Sequence, residues 1–482
     1  MSDRPGAVPG TGGPLSTGVA GLDEILGGGL PGPRVYLVQG APGTGKTTFG
    51  LQFLRAGLRR GEPVLYVSLS QSRAELAQIA ASHGWSLDGL MVEELDAEDA
   101  FEGVGDQTIF QTADIRLDRT RIAVEEAIAR HRPRRIVYDS LLEVRHLAAD
   151  PARYRRELLG FKAYIADSGV AAMLLDTSGP FGGDLQLEGL AHGIICLEKE
   201  LPEYGLARRR VEVKKMRGVA FADGYHDLSI RTGTGIEVYP RIVPRLAPEA
   251  PLSELIQSGV APLDRMLGGG LEAGTTALVV GQAGTGKSTL ASLYAAAALS
   301  RGEGVAMFLF EERLETFFRR SEGLGVNLRP HHASGQLLVA DFNPAEIAPG
   351  EFSRIVQRAV DERGVRVVLI DSFTGYLSAL PRGGEAVMQI QTLLQYVARR
   401  GVLSVLVVAR HGLLGEDAGA APVDVSFLGD CVLLLRMREE GGRLVRTITV
   451  VKKRHGPHDM NVRAFEIRPD GLEIRPVADG AA

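Results

Sequence analysis

The chain contains one long segment twice. The stretch STGVAGLDEILGGGLPGPRVYLVQGAPGTGKTT, which begins at Ser16, aligns without a gap with QSGVAPLDRMLGGGLEAGTTALVVGQAGTGKST, which begins at Gln257. Matching residues such as Lys46 and Lys287 are 241 positions apart. A repeat of this length indicates a duplicated domain and not a solenoid unit. We therefore expect two domains of the same fold.

A proline-rich stretch separates the two copies. Residues 239–253, YPRIVPRLAPEAPLS, contain four prolines and no apolar periodicity, which is typical of an extended linker. We predict a first domain over residues 16–246 and a second over residues 247–482. Residues 1–15 are rich in glycine and proline and lack an apolar core, so we predict a disordered N-terminal segment and no signal peptide.

Short apolar runs alternate with longer amphipathic ones in each copy. In the first copy VYLVQG (35–40), RIVYDS (135–140) and AAMLLD (171–176) are continuous apolar runs, typical of strands buried on both faces. Strand–helix alternation predicts an α/β fold with a mainly parallel twisted sheet and helices on both faces. The closely spaced strands at 193–198 and 208–215 predict an antiparallel extension at one end of the sheet.

The composition narrows the class of protein. A net charge of −5 and a pI of about 6.1 argue against a surface covered with basic residues for nucleic acid. Cys196 and Cys431 lie far apart in sequence, so neither a disulfide framework nor a zinc site is expected. Apolar runs such as VLSVLVVA (402–409) are shorter than a bilayer span. We expect a cytoplasmic protein that does not enter a membrane.

Each copy carries a G-x-x-x-x-G-K-[ST] loop between a strand and a helix: GAPGTGKT (40–47) and GQAGTGKS (281–288). Glycines let backbone N–H groups surround phosphates, and the helix N-terminus adds positive potential. We predict ATP and Mg²⁺ as ligands, with the lysines on the β- and γ-phosphates. The residues predicted to bind nucleotide are Gly40, Gly43, Thr44, Gly45, Lys46, Thr47, Thr48, Gly281, Gly284, Thr285, Gly286, Lys287, Ser288 and Thr289.

An acidic residue follows a later buried strand in both copies. RRIVYDS supplies Asp139, and VRVVLIDS supplies Asp371. We predict that each aspartate holds Mg²⁺ together with the loop hydroxyl of Thr47 or Ser288. The alternative is an aspartate that ends a strand and caps the next turn.

The second copy has acidic residues where hydrolysis needs a base. Its strand after the first helix reads VAMFLFEERLE and ends in Glu311 and Glu312, at the carboxyl edge where ligands bind. We predict these glutamates and Lys287 as the catalytic residues. The alternative is that the two acids only complement the dipole of the helix that follows.

The first copy lacks this acidic pair. Ser70 and Gln71 occupy the matching positions, and neither side chain accepts a proton well. Glu75 comes one turn later and is expected to point outward, and Glu143 is the less favoured substitute. We therefore predict that the first copy binds Mg·ATP with weak or no hydrolysis, and that the second copy is the competent one.

These motifs together resemble the KaiC-like ATPases of the RecA superfamily, the two-domain clock-protein type. The resemblance rests on TGVAGLDEILGGGLP, both phosphate loops, FEE, SHGWSLDGL (82–90), YDS, IDS, KMRG and KKRHGPH, and it extends from about Ser16 to Arg475. It implies two tandem RecA-like P-loop NTPase domains and a homo-hexamer with ATP at subunit interfaces. It also implies that a neighbouring subunit supplies Lys215 and Arg217 in the first domain, and Lys452 and Arg454 in the second.

The resemblance further implies phosphorylation of the chain by its own second domain. Clock members carry adjacent serine and threonine acceptors, and the matching positions in PVDVSFLGDCVLLLRM are Ser426 and Phe427. Ser426 is thus the candidate phospho-acceptor of a serine autokinase. The missing glutamates of the first domain and the short C-terminal tail favour a signalling or regulatory relative, with an unknown protein partner, over a clock protein.

Two other classes of function stay open. RHRPRR (130–135) and ARRRVEVKKMR (207–217) would suit a DNA-binding recombination or repair ATPase, but no aromatic residue that could stack on bases is interleaved with them. We therefore expect no nucleic-acid partner. The third class is an ATP-gated oligomeric scaffold with little turnover.

Overall fold

The structure is a computed structural model, and it describes residues 13–95, 109–148, 150–177, 185–202, 205–243, 254–378, 380, 384–410, 425–440, 442–468 and 471–477. The chain divides into two compact units, and the main division falls between Arg241 and Ile242. The predicted boundary near residue 246, most of the predicted linker and most of the predicted N-terminal segment lie outside the described residues.

The first domain alternates strands and helices up to its last antiparallel strands. Its elements are α1 (Ala20–Ile25), β1 (Val35–Gly40), α2 (Lys46–Leu58), β2 (Val64–Ser68), α3 (Arg73–Ser82), β3 (Leu90–Glu94), α4 (Ile109–His131), β4 (Arg135–Asp139), α5 (Leu141–Leu147), α6 (Pro151–Ser168), β5 (Ala171–Asp176), α7 (Leu185–Leu190), β6 (Gly193–Glu200), β7 (Arg208–Met216), β8 (Tyr225–Arg231) and β9 (Gly235–Tyr239).

These strands form one nine-stranded sheet in the order β3-β2-β4-β5-β1-β6-β7-β8-β9. The pairs from β3 to β6 are parallel, and the pairs from β6 to β9 are antiparallel. The predicted antiparallel hairpin is confirmed as β6–β7, and β6 also joins the parallel part of the sheet beside β1.

The second domain has strands and helices in an order close to that of the first domain, and a short two-stranded sheet is added to them. Its elements are β10 (Leu255–Ile256), α8 (Ala261–Met266), β11 (Leu271–Glu272), β12 (Thr276–Gly281), α9 (Lys287–Ser300), β13 (Gly304–Leu309), α10 (Leu314–Gly323), α11 (Arg329–Ala333), β14 (Leu337–Asp341), α12 (Pro349–Arg363), β15 (Val365–Asp371), α13 (Phe373–Ser378), α14 (Gly384–Arg399), β16 (Leu403–Ala409), β17 (Cys431–Glu440), β18 (Arg443–Lys453), β19 (Arg463–Arg468) and β20 (Gly471–Pro476).

The second large sheet has the order β14-β13-β15-β16-β12-β17-β18-β19-β20, which matches the first strand for strand. The mostly parallel, tandem α/β architecture of RecA-like domains is therefore confirmed. Each sheet also carries the same irregularity in its first antiparallel hairpin, between Ile194 and Ile195 in one domain and between Val432 and Leu433 in the other.

The continuous apolar strands bury side chains on both faces of each sheet. In β1, Leu37 packs into the cluster that includes residues of α4 and α6, whereas Val38 packs into the cluster that includes residues of α2. Both side chains are fully buried, and each such burial stabilises the fold by about 1.5–3 kcal/mol. Because both faces of the sheet are covered, β1 does not show the alternation of apolar and polar residues that is typical of a half-exposed strand.

The topology fixes where ligands can bind. The carboxyl ends of the parallel strands meet at one edge of each sheet, and β5 or β16 lies there between the phosphate-loop strand and the strand that ends in aspartate.

Within the described part of the chain, no helix is long and apolar enough to cross a membrane.

Candidate nucleotide sites

The first phosphate loop is a tight turn between β1 and α2. Gly43 and Gly45 have φ angles of 76° and 107°, a left-handed backbone that favours glycine. Lys46 Nζ donates hydrogen bonds to the carbonyl oxygens of Gly40 at 2.6 Å and Ala41 at 3.1 Å. The lysine therefore lies folded over the cradle in which phosphates would sit.

The second phosphate loop has the same form between β12 and α9. Gly284 and Gly286 have φ angles of 77° and 95°, and Lys287 Nζ donates to the carbonyl oxygen of Gln282 at 2.8 Å. Burial lowers the pKa of Lys287, while the charges of Asp371 and Glu311 raise it. The pKa of the matching lysine in the first domain is lowered by burial as well. An anion in either loop would relieve this unfavourable burial of positive charge.

A buried threonine braces each loop from inside. Thr44 Oγ1 donates to Ala41 O at 2.9 Å, and Thr285 Oγ1 donates to Gln282 O at 2.8 Å. Both threonines are fully buried, so they shape the loop and do not face a ligand through their side chains. That Thr44 and Thr285 belong to the nucleotide site stays a prediction, and their buried side chains would serve it by holding the backbone amides of the loop in place.

The loop hydroxyl and the strand aspartate meet in both domains. Thr47 Oγ1 donates to Asp139 Oδ2 at 3.2 Å, and Ser288 donates to Asp371. Burial raises the pKa of both carboxyl groups, whereas these hydrogen bonds lower it. A hydroxyl and a carboxylate side by side are the hard oxygen donors that suit Mg²⁺ and its bound water. The residues present therefore fit the ion that the sequence predicts.

The two glutamates of the second domain have different surroundings. Glu311 Oε1 accepts a hydrogen bond from Ser372 Oγ at 2.6 Å. Its negative charge opposes the lowering of the pKa of Lys287, a residue of the phosphate loop. Glu312 is instead held by the Arg320 guanidinium, at 3.1 Å from Nε to Oε1 and 2.8 Å from Nη2 to Oε2. Glu311 is thus the carboxylate placed beside the phosphate loop.

The backbone fixes which residues of the first domain match these glutamates. The Leu69 amide donates to Asp139 O at 2.7 Å, and the Phe310 amide donates to Asp371 O at 2.7 Å. The next residue is Ser70 in one domain and the glutamate at position 311 in the other. The first domain therefore carries no acid at this position.

Glu75 does not fill the gap. It is part of a capping box at the start of α3, where its carboxylate accepts from Ser72 N at 2.7 Å and from Ser72 Oγ at 3.0 Å. The backbone hydrogen bond of Ser72 lowers the pKa of Glu75. Its carboxylate is thus engaged in capping the start of the helix, and it is a weaker proton acceptor than usual.

Tyr66 contacts the predicted magnesium ligand, and it was not among the residues predicted for the site. Tyr66 is fully buried, and its hydroxyl donates to Asp139 Oδ2 at 2.6 Å. Met307 occupies the matching position of β13 and has no hydroxyl group. The available signal was a tyrosine within the mostly apolar run VLYVS.

A buried ion pair beside the first phosphate loop was missed as well. Arg145 Nη2 lies 3.1 Å from Asp176 Oδ1 and 3.3 Å from Oδ2, and the Asp176 side chain is 1% exposed. Asp176 pairs with Gln39 in the sheet, just before the loop begins. Val408 and Leu377 take these places in the second domain. An aspartate that ends a buried strand, as in AAMLLD, was the available signal.

The basic residues of the late strands lie at the other edge of the sheet. Lys215 pairs with Ile194 near the amino end of β6, and Lys452 pairs with Val432 near the amino end of β17. β6 runs parallel to β1, the strand that leads into the first phosphate loop, and β17 runs parallel to β12, which leads into the second. Because Ile194 pairs with Leu37 and Val432 pairs with Leu278, about 10 Å of strand lies between each of these pairs and the first glycine of the phosphate loop.

Contacts at this edge hold the basic side chains. Lys215 Nζ donates to the carbonyl oxygen of Glu188 at 2.7 Å, and Arg217 Nη2 donates to that of Gly189 at 3.2 Å. In the second domain Arg454 forms an ion pair with Asp430 at 3.0 Å. Arg217 and Arg454 are exposed, so both can reach a group beyond their own domain.

Ser426 lies at the same edge of the second domain. It begins a short 3-10 helix before β17, and the residue is exposed. Lys452 Nζ donates to the carbonyl oxygens of Ser426 at 3.2 Å and Gly429 at 2.7 Å. The structure therefore places Ser426, the candidate phospho-acceptor, beside Lys452, the lysine expected to act on a neighbouring subunit. Both lie away from the phosphate loop of their own domain.

One arginine of a basic stretch considered for DNA is buried, whereas Arg130, Arg132 and Arg134 of the same stretch are exposed. Arg135, the last residue of RHRPRR, is fully buried, and its Nε lies 2.5 Å from Glu62 Oε2. Its Nη1 donates to the carbonyl oxygens of Ser16 at 2.6 Å and Phe53 at 3.0 Å. This arginine ties elements of the first domain together and is not available to a phosphate backbone.

Two phosphate loops of this form, each facing a strand aspartate across a mostly parallel sheet, define a P-loop ATPase with tandem RecA-like domains. A family model described as the KaiC ATPase matches residues 15–242 and again residues 256–479. The chain belongs to the KaiC ATPase family. Membership of this family implies nucleotide binding and ATPase activity.

Individual relatives agree with the family over almost the whole chain. The circadian clock oscillator protein KaiC of Prochlorococcus marinus is 28% identical over 473 residues, which cover 96% of this chain and 92% of that protein. The protein of the same name from Picosynechococcus is 29% identical over 470 residues, covering 96% and 89%. The circadian clock protein KaiC3 of Synechocystis is 28% identical over 473 residues, covering 95% and 91%.

Proposed function

We propose that this chain is a signalling or regulatory ATPase that binds Mg·ATP in both domains and performs most of its chemistry in the second. The observation that carries the proposal is the placement of Glu311. Its carboxylate lies beside Ser372, and its charge opposes the lowering of the Lys287 pKa that burial causes. The matching residue of the first domain is Ser70, which is a poor proton acceptor.

In the proposed reaction, Glu311 accepts a proton from a water molecule while the water oxygen attacks the γ-phosphorus of ATP. The bond from the γ-phosphorus to the bridging oxygen breaks, and ADP leaves with that oxygen. Lys287 and the backbone amides of the loop offset charge on the phosphate oxygens. Ser288 and Asp371 would hold a magnesium ion, and its positive charge would offset the negative charge of the phosphate oxygens.

We infer that the basic residues at the far edge act on the nucleotide of another subunit. In their own domain, Lys452 contacts the carbonyl oxygens of Ser426 and Gly429 and Arg454 pairs with Asp430, away from the phosphate loop. A ring in which each subunit faces the next would place them on a neighbour's γ-phosphate, and the homo-hexamer implied by the resemblance has this form. Lys215 and Arg217 take the same part in the first domain. Hydrolysis then depends on assembly.

The same geometry supports a serine autokinase activity. Ser426 lies beside Lys452, so a phosphate loop that meets this lysine from a neighbouring subunit would also meet the Ser426 hydroxyl. Glu311 of that neighbour would take the hydroxyl proton, and the serine oxygen would replace water as the attacking group. Phosphorylation of an exposed residue at a subunit edge is a state that an unknown protein partner could read.

The test compares the wild-type chain with Glu311→Gln/Glu312→Gln, using γ-labelled ATP. We expect both the release of labelled phosphate and the label retained on the protein to fall by about 10²-fold or more in the variant. Unchanged hydrolysis in the variant would refute the assignment of the chemistry to the second domain. Ser426→Ala separates the two activities, because it should abolish retained label while phosphate release continues.

A further inference from the structure

The first domain has a glutamate at a position where the second has glycine. Glu143 is the third residue of α5, and Gly375 is the third residue of α13. Each lies four residues after the strand aspartate, Asp139 or Asp371, and both helices follow that aspartate through one serine. Glu143 and Gly375 are therefore equivalent positions.

Gly375 leaves room for the catalytic glutamate of the second domain. A Cβ atom on Gly375 would lie 2.8 Å from Glu311 Oε1, 3.1 Å from Glu311 Cγ and 3.2 Å from Ser372 Oγ. The first distance is too short for a non-bonded contact of carbon and oxygen. Gly375 has no left-handed φ angle, so what glycine provides here is space for the Glu311 side chain and not a special backbone conformation.

The exchange of side chains between the domains is reciprocal. The first domain has Ser70 in place of Glu311 and Glu143 in place of Gly375. In the second domain, a Cβ atom at Gly375 would point into the volume that the Glu311 side chain fills. By equivalence, the Glu143 side chain of the first domain extends from its helix toward the corresponding volume. We propose that Glu143 supplies the catalytic carboxylate of the first domain, which therefore hydrolyses ATP slowly instead of only binding it.

A structural role for Glu143 alone explains less. An acidic residue in the first turn of α5 complements the helix dipole. That role would be the same whatever residue stood at position 70 or 375, and it gives no reason for the paired exchange. The other acid near the gap, Glu75, is bound to Ser72 in its capping box.

The proposed step conserves atoms and charge. Glu143 takes a proton from a water molecule as the water oxygen attacks the γ-phosphorus of ATP bound by Lys46 and the first phosphate loop. The bridging oxygen leaves with ADP, and inorganic phosphate is released. The proposal rests on the proposed function in one respect, which is that the first loop binds Mg·ATP.

The experiment measures the turnover that remains after the second domain is silenced by Glu311→Gln/Glu312→Gln. Adding Glu143→Gln should lower this remaining turnover by about tenfold or more, while a fluorescent ATP analogue still binds the first domain. Adding Glu75→Gln is the matched control and should leave the turnover in place. The proposal is overturned if the silenced chain shows no remaining turnover, or if Glu143→Gln leaves it unchanged.

The result separates this proposal from the proposed function. If Glu311→Gln/Glu312→Gln keeps the full wild-type rate, the second domain is not the main site, yet the effect of Glu143→Gln still decides the part of Glu143. A glutamine is nearly the same size as the half-buried Glu143, and unchanged analogue binding would show that the site remains folded.

A graft into the second domain tests the equivalence directly. Glu311→Ser should lower turnover, and Glu311→Ser/Gly375→Glu should restore a measurable part of it. Gly375→Glu alone should impair the enzyme, because the Glu311 carboxylate would have to move out of its place to make room for the new side chain. If the double variant is no faster than Glu311→Ser, the claim that the two positions deliver a carboxylate to one place is refuted.

Discussion

Tyr66 and Thr47 both donate a hydrogen bond to a single oxygen of Asp139, at 2.6 Å and 3.2 Å. Tyr66 is fully buried, so its hydroxyl meets this carboxylate with little competition from water. Hydrogen bonds to charged groups contribute more than neutral ones. We expect Tyr66→Phe to lower the free energy of unfolding of the first domain by about 1.5–3 kcal/mol.

Fluorescence gives a signal that belongs to the first domain. Trp85 is the only tryptophan of the chain, and it is buried there with Nε1 donating to Gly233 O at 3.1 Å. Tyr36→Phe is the matched control, because the buried Tyr36 hydroxyl donates to a neutral carbonyl, that of Gly32, at 2.8 Å. An equal loss of stability in the two variants would contradict a special part for the bond to Asp139.

His226 makes the first domain sensitive to acid. Its Nδ1 accepts from the Arg241 amide at 2.8 Å, and its Nε2 lies 3.0 Å from Ala222 O, which can only accept. These partners require the neutral ring with its proton on Nε2. Burial lowers the pKa of His226 in the folded chain. Below about pH 6.5, this histidine therefore binds a proton in the unfolded chain more readily than in the folded chain. The stability that His226 provides is present above this pH and falls as the pH decreases.

His226→Gln tests this dependence. The free energy of unfolding, followed through Trp85, is measured near about pH 7.5 and about pH 5.5. We expect the difference between the two values to be smaller in His226→Gln than in the wild-type chain. The exposed His146 provides the control, since His146→Gln should keep the wild-type difference. A variant that loses as much stability in acid as the wild type would show that other groups cause the effect.

Glu311 and Glu312 should contribute unequally to turnover. Glu311 lies beside Ser372 and Lys287, whereas Glu312 is held by Arg320 through two hydrogen bonds. We expect Glu311→Gln to lower kcat by about 10²–10⁴-fold with little change in ATP binding. Glu312→Gln should lower kcat by less than about tenfold, because it alters the ion pair and not the proton acceptor. Equal losses of kcat would refute this division of roles.

Local chemistry explains how much of each domain could be predicted. A continuous apolar run such as LVV in β12 fits only a strand covered on both faces, and glycines before Lys287 allow the left-handed turns that a phosphate loop needs. The sequence also predicted the parallel sheet, because strands and helices alternate. The long helix α4 is not predicted, since charged residues interrupt its apolar positions.

Relationships across the sheet could not be predicted from one sequence. Glu311 and Glu312 are adjacent in the chain, and only packing shows that Arg320 takes one of them. Gly375 follows Glu311 by 64 positions, so the space it leaves for that side chain is visible only in three dimensions. For this reason Glu143 was the less favoured substitute on the sequence alone. The equivalent glycine, Gly375, is the observation that supports a catalytic role for it.

A mixing experiment tests whether one subunit completes the site of another. Lys452 lies at the edge of the sheet opposite to the phosphate loop, so Lys452→Ala and Glu311→Gln remove the two halves of a site that two chains would share. Each variant alone should be nearly inactive. When they are mixed in equal amounts and allowed to exchange subunits, about a quarter of the interfaces in a randomly assembled ring should hold both intact residues. We expect about a quarter of the wild-type turnover of the second domain to return.

The control for this mixture is the double variant Lys452→Ala/Glu311→Gln combined with Lys452→Ala. No interface in that mixture contains Lys452, so no activity should return, although the subunits exchange equally well. Recovery in the first mixture alone would mean that the lysine acts on a neighbour's nucleotide. If neither mixture recovers although exchange is complete, Lys452 serves its own chain, and the exposed edge that it shares with Ser426 is not a catalytic interface.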